Sequence, residues 1–322
     1  MTSFKKKVKA GDMDSFQYWV KSGTPWVWIN AAAVSASIIL VVGLLMLIAA
    51  RGLGHFWPAA IHEITYQEED GQMHVISGQL RETEEVAASR LTESGLEVPE
   101  GLETIERILL KTGNRDVTGE DFRWILGHRI ESRDTPSDMV ILERQEWGAF
   151  MGRVAAVVKD GERQVPDDPW PVFEQMLERA GELREQITDL EKGDIGSVNY
   201  RMERLRLDER KLQLKNVTDP AAFAELEQKK KDLDEEYRVL EDDLIKLNTE
   251  IRKDAVIMRT SDGMERELSL ASIIDAWRPN DMNLAQQLGH YFHQGWLFIV
   301  DDPREANTEG GIFPAIYGTI LM

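Results

Sequence analysis

The sequence predicts a membrane-anchored α+β protein. One N-terminal transmembrane helix is expected to precede a small β-rich periplasmic domain with an inserted antiparallel coiled-coil hairpin, and the C-terminus is expected to start a second transmembrane helix. Three observations predict this arrangement: an uncharged apolar stretch, a heptad repeat, and Asp-Gly turns between apolar runs on both sides of the heptads. The predicted divisions are a cytoplasmic tail at 1–25, a transmembrane helix at 26–50, a periplasmic α+β region at 51–169, the coiled-coil hairpin at 170–253, a β hairpin with an amphipathic helix at 254–300, and a linker with the start of the second span at 301–322.

The apolar stretch at residues 26–50 contains no charged side chain. As a helix it would extend about 37 Å, which exceeds the roughly 30 Å of a bilayer's hydrocarbon core. Trp26 and Trp28 stand at one end, where amphipathic rings settle at headgroup depth. The stretch therefore predicts a membrane span, rather than the buried core helix of a soluble protein or a cleaved signal peptide, whose apolar region is only about 7–15 residues long.

The charge around this span predicts its orientation. The 25 residues before it carry five lysines and two aspartates, whereas the whole chain has a net charge of −19. Lysine and arginine near a span remain in the cytoplasm. We therefore expect a cytoplasmic N-terminus, with the bulk of the chain in the periplasm of a bacterium and the span in its inner (plasma) membrane.

Composition excludes several classes of function. The acidic balance argues against nucleic-acid partners and against docking on anionic lipid. The absence of cysteine excludes disulfides, thiolate catalysis and cysteine-based zinc sites. No nucleophile elbow, phosphate-binding loop or His-Glu-x-x-His motif is present. The sequence therefore predicts that the chain is not an enzyme, and it identifies no catalytic, cofactor-binding or metal-binding residue and no cofactor; any substrate-binding residues remain unknown.

Two Asp-Gly turns frame the β-rich regions. Residues 60–67 and 72–80 flank Asp70-Gly71, and residues 255–260 and 265–270 flank Asp262-Gly263, so each pair predicts a β hairpin. Further strands are predicted at 138–143 and 147–159. The region between these strands is expected to be mainly short helices, at 84–94, 102–111 and 120–126.

A heptad repeat predicts the helical hairpin. In its second arm, leucines recur every seven residues, at Leu226, Leu233, Leu240 and Leu247, and the other seam position holds Lys230, Tyr237, Leu244 and Ile251. The first arm shows a similar seam whose register slips near residues 193–196. Pro220 marks the turn between the arms, because proline cannot continue a helix. The charged outer faces are expected to be solvated; a specific partner-binding role is the alternative.

The last part of the chain contains two apolar segments. Residues 283–300 are amphipathic and aromatic, which favours a membrane-surface or core helix. His290 and His293 stand three residues apart and could face a metal together, but the sequence shows no third ligand. The apolar run at 310–322 is too short to span a bilayer and is expected to be the opening turns of a second membrane helix.

The segment GGIFPAIYGTILM, at 310–322, resembles the one that opens the transmembrane core of phosphate ABC-transporter permeases of the PstA type. The segment TPWVWINAAAVSASIILVVGLLMLIAARGLGHFWPA, at 24–59, is similar to the first span of long members with an extra periplasmic region. The resemblance implies a permease subunit that pairs with a second permease subunit, is driven by cytoplasmic ATPase subunits and receives phosphate from a periplasmic phosphate-binding protein. The family's remaining spans and its ATPase-coupling loop are not among these residues, so the reading frame is expected to continue past Met322.

Two other classes of protein share some of these features. A single-pass inner-membrane-anchored periplasmic adaptor or scaffold protein would also combine one N-terminal anchor, small β domains and a helical hairpin. It would not need residues 310–322 to enter a membrane, and this difference separates the two hypotheses. An anchored enzyme is the third class, and the lack of catalytic motifs argues against it.

Overall fold

A computed structural model describes residues 19, 22–99, 101–215, 219–300, 311 and 317–319. The chain divides into two units, Met1–Trp57 and Pro58–Met322. Most of the predicted cytoplasmic tail and most of the predicted linker and second span lie outside the described residues.

The first unit contains helix α1, Thr24–Gly54. Pro25 occupies the first turn, where a missing N–H costs nothing, and none of the described helix residues is buried. Among the described residues, α1 is the one helix long and apolar enough to cross a membrane. The predicted N-terminal apolar helix is therefore confirmed, and its length and position suit a membrane anchor or a signal sequence.

The second unit begins with a five-stranded antiparallel sheet in the order β4-β3-β2-β1-β5. The strands are β1 Ile61–Gln67, β2 Met73–Ala87, β3 Thr104–Lys111, β4 Phe122–Leu126 and β5 Ile130–Asp134. The predicted turn between β1 and β2 is confirmed: Gly71 has φ 79°, and the Asp70 carboxylate accepts a 2.8 Å hydrogen bond from the Gln72 amide. Two short helices, α2 Ala88–Glu93 and α3 Arg115–Thr118, interrupt the strands.

The helices predicted at 84–94, 102–111 and 120–126 are largely wrong. The first survives only as α2, and the chain elsewhere forms the end of β2 and the strands β3 and β4. Long side chains such as Glu and Arg favour helix locally, but pairing along β2 and β3 buries Ile108 and Leu110 in a core with Ile125. Tertiary packing therefore outweighs the local helix propensity.

A second antiparallel sheet follows, in the order β10-β9-β7-β6-β11, with β8 also paired to β7. Its strands are β6 Val140–Arg144, β7 Phe150–Lys159, β8 Glu162–Gln164, β9 Ala255–Arg259, β10 Glu265–Ser269 and β11 Ile273–Trp277. The Asp262-Gly263 turn joins β9 to β10 as predicted, with Gly263 at φ 90°. The main core lies between this sheet and the first turns of the helix that begins at Pro169. Its central residues include Phe150, Phe173 and Met258.

Two long helical arms leave this sheet between β8 and β9. The first consists of α4 Pro169–Asp189, a π turn at Leu190–Ile195 and α5 Gly196–Leu214; the second is α6 Pro220–Ile251. Ion pairs from Arg179 to Glu250 (2.5 Å) and from Arg201 to Glu236 show that the arms run antiparallel. The π turn coincides with the predicted register slip, because one extra residue in a turn shifts the phase of the seam.

The predicted seam of α6 faces the inside of this hairpin. Leu233 and Ile251 are buried, and the remaining apolar seam residues are partly buried: Leu226, Tyr237, Leu240, Leu244 and Leu247. Lys230, the charged seam position, is exposed. The chain closes with helix α7, Leu284–Val300. Supercoiling of the two arms stays a prediction.

Candidate interaction surfaces

A polar network joins the two sheets. Arg153 on β7 donates hydrogen bonds of 2.7 Å to Glu63 on β1 and to Asp138, and the Ser261 hydroxyl donates to Glu63 at 2.9 Å. The hydrogen bonds from Arg153 hold the pKa of Glu63 below its ordinary value. Every member of this group is engaged within the domain, so the network fixes one sheet against the other.

A buried ion pair joins helix α3 to strand β6. Arg144 donates two hydrogen bonds, of 3.0 and 2.9 Å, to the two carboxylate oxygens of Asp116, and its side chain is 3% exposed. Nearby, Asn114 both donates to and accepts from the backbone of Met151, at 2.9 and 2.7 Å. The partners of these side chains all lie within the domain, so we assign Arg144, Asp116 and Asn114 a structural role.

Three potential metal ligands meet at the β1–β2 turn. Glu68, Asp70 and His74 bring their ligand atoms within 4.8 Å of one another. Glu68 is already bound by Arg123 at 2.5 Å and by His74 at 3.1 Å, and Asp70 caps the turn. Sequence reasoning missed this cluster, although its signal was present: three acidic residues precede a tight turn that returns His74 beside them. The ion pair between Glu68 and Arg123 of β4, together with the tight turn, explains why these side chains lie close together.

The two histidines of α7, His290 and His293, have different environments. The ring centroid of His290 lies 4.6 Å from that of Trp277 on β11, and burial lowers the pKa of His290. His293 is exposed. His290 is therefore a packing residue that contacts the second sheet at β11.

The hairpin has a cleft of about 560 Å³ between α5 and α6. Its floor includes the apolar side chains of Met202, Leu205, Phe223 and Leu226. Its rim is charged and includes Glu203, Arg206, Glu209, Glu227 and Lys230. The cleft has the size and polarity to accept apolar side chains of a partner, and it lies in the part of the hairpin closest to the turn between the arms.

A second candidate surface is the outward face of α7. Leu284, Phe292 and Trp296 are 66%, 70% and 62% exposed. The helix contains no charged residue. Exposed apolar side chains grouped on one helix make this face a candidate site of contact.

No family model matches this chain, and neither a curated protein nor a solved structure matches it. Three features of the chain itself bear on its function: α1, the β domain with its hairpin, and the exposed face of α7.

Proposed function

We propose that this chain belongs to a membrane-spanning permease subunit of an ATP-driven phosphate importer in the bacterial inner membrane. It supplies the subunit's N-terminal anchor and its periplasmic domain. The observation that carries the proposal is the resemblance of residues 310–322, and of residues 24–59, to the corresponding segments of phosphate permeases. The described structure supports it with one helix that is long and apolar enough to cross a membrane, followed by a separate β-rich unit.

The residues of α1 suit contact with lipid rather than a transport path. Its only strongly polar side chain between residues 26 and 50 is Asn30, and the Ser37 hydroxyl bonds back to the Ala33 carbonyl at 3.0 Å. An anion needs a path lined by polar groups from several packed helices, because exposing charge to hydrocarbon is very costly. Transport therefore requires a second permease subunit and further spans.

The proposed permease needs partners for ATP hydrolysis and for delivery of phosphate. Cytoplasmic ATPase subunits hydrolyse ATP, so no ATP site is assigned to this chain. A periplasmic phosphate-binding protein delivers the ion on the side where the β domain lies. The cleft in the hairpin, with its apolar floor and its rim of both charges, is the candidate docking surface on that side.

A specific observation favours one second candidate, a periplasmic adaptor or scaffold protein. The hairpin arms connect to one sheet through β8 and β9, which both pair with β7, and the outer faces of both arms are exposed and charged. A hairpin held this way can present both arms to a partner. The adaptor would bind an efflux or secretion complex instead of an ATPase pair.

Phosphate uptake separates the two candidates. In cells that lack their own phosphate permease, we expect the gene that encodes this chain, expressed with its partner genes, to restore uptake of labelled phosphate. Val41→Arg should reduce uptake strongly, because arginine at the centre of α1 costs about 2.5–3.5 kcal/mol of insertion free energy.

The matched control is Leu207→Arg, which adds the same charge at an exposed position of α5. This variant should leave uptake unchanged. Failure of the unmodified gene to restore uptake, together with co-purification of an efflux complex, would replace the permease proposal by the adaptor.

A further inference from the structure

Three polar side chains of helix α7 face its own domain, whereas Gln286 and His293 are exposed. The ring of His290 packs against that of Trp277 at an angle of 43°, and the Gln294 amide donates a 3.3 Å hydrogen bond to Asp275 on β11. Gln287 is partly buried and donates to the Met282 carbonyl at 3.4 Å. Three polar residues three or four positions apart thus form the inward face of the helix.

The opposite face of α7 is apolar and exposed. Leu284, Leu288, Phe292 and Trp296 follow at intervals of four, so they form one stripe, which Ile299 extends. A surface helix of a soluble domain has the reverse arrangement, with its apolar stripe toward the core. The outward stripe therefore fits an apolar environment that lies outside the domain.

The chemistry of α7 selects lipid as this environment. The helix has no charged residue, and its stripe combines aliphatic side chains with the aromatic rings of Phe292 and Trp296, which settle between headgroups and acyl chains. The chain's net charge of −19 favours a zwitterionic surface over an anionic one. In the proposed function α1 already holds this domain at a bilayer, which raises the effective concentration of lipid around α7.

We propose that α7 lies in the interfacial layer of the bilayer, with Leu288, Phe292 and Trp296 in the acyl-chain boundary and its polar face against β11. This inference rests on the membrane anchoring in the proposed function. It adds a second attachment of the β domain, so that the second sheet is held at the membrane surface instead of moving freely on a tether.

Depth measurements on the full chain test this inference. The chain has no cysteine, so Phe292→Cys, Leu288→Cys and Gln286→Cys can each be labelled singly with a polarity-sensitive fluorophore. Each labelled protein is placed, one copy per disc, in phosphatidylcholine nanodiscs. Ser37→Cys in α1 reports separately on anchoring. We expect strong quenching of the labels at 288 and 292 by a quencher attached to the acyl chains, and much weaker quenching at Gln286, an exposed polar residue outside the stripe.

Each of the other outcomes contradicts either the α7 inference or the anchoring by α1. If the label at 292 is quenched by a water-soluble agent while that at 37 lies deep in lipid, the α7 inference fails and the anchoring stands. If the label at 292 is shielded from both quenchers, protein covers the stripe and the inference also fails. If the label at 37 is reached from water, the anchoring in the proposed function fails.

Discussion

Asp116→Asn is expected to lower the free energy of unfolding by about 3–5 kcal/mol, because it leaves the Arg144 guanidinium buried without its counter-ion. The Asp116 carboxylate accepts two hydrogen bonds from Arg144, and the two side chains are 13% and 3% exposed. The remaining contacts of Arg144, to the carbonyls of Trp147 and Gly148, cannot replace a full negative charge. Urea denaturation of the detergent-solubilised chain, followed by circular dichroism, measures the loss.

The pH dependence of this effect follows from the pKa of Asp116. Burial would raise that pKa, but the hydrogen bonds and the charge of Arg144 outweigh burial and lower it from the ordinary value of 3.8. The stabilisation is therefore complete above pH 3.8 and is lost as the pH falls through the lower folded-state pKa. The difference between the wild type and Asp116→Asn should shrink over that acid range.

Asp208→Asn is the control for this prediction. Asp208 pairs with Lys211 at 2.9 Å on the solvent side of α5, where the charges are well hydrated. We expect no measurable loss of stability. Equal losses in the two variants would contradict the stabilising role of the buried pair.

Leu233→Asp is expected to produce the second large effect, a loss of at least about 3 kcal/mol in the stability of the hairpin. Leu233 is 8% exposed in the seam between the arms. The change therefore removes a buried apolar side chain and places a carboxyl group where little water can hydrate it. Hydrogen–deuterium exchange of the α6 amides measures this loss, because local opening of the hairpin exposes them.

Val239→Asp on the same helix is the matched control. Val239 is 57% exposed, so the same chemical change occurs there in contact with water. Exchange in α6 should remain close to that of the wild type. Comparable acceleration in both variants would show that Leu233 does not lie in the seam between the arms.

Local patterns in the sequence predicted much of this fold. An uncharged run marks α1, two Asp-Gly pairs mark β turns, and heptads identify the buried side of α6. The break in the heptad register of the first arm coincides with the π turn at Leu190–Ile195. Each of these signals depends on residues that lie within about two helical turns of one another in the sequence. Periodicity in a sequence detects patterns over this short range.

The strands β3 and β4 and the polar junction could not be predicted in the same way. The choice of strand over helix for β3 depends on its pairing with β2 and on burial against Ile125. Arg153 and Glu63 are 90 positions apart, and no spacing rule connects them. The amphipathic character of α7 was visible, but the sequence did not show that its apolar face points outward, because that depends on the contact between His290 and Trp277.

The central claim, a β domain held outside the cytoplasm by α1, is tested most directly by the labelling of single cysteines in intact spheroplasts. Because the chain lacks native cysteine, Ser197→Cys on the exposed surface of α5 and Ser3→Cys before the span each report one side of the membrane. We predict that a membrane-impermeant thiol reagent labels Ser197→Cys in intact spheroplasts and labels Ser3→Cys only after lysis. Labelling of Ser3→Cys but not Ser197→Cys before lysis would contradict the orientation, and recovery of the chain without α1 in the soluble periplasmic fraction would contradict the anchor.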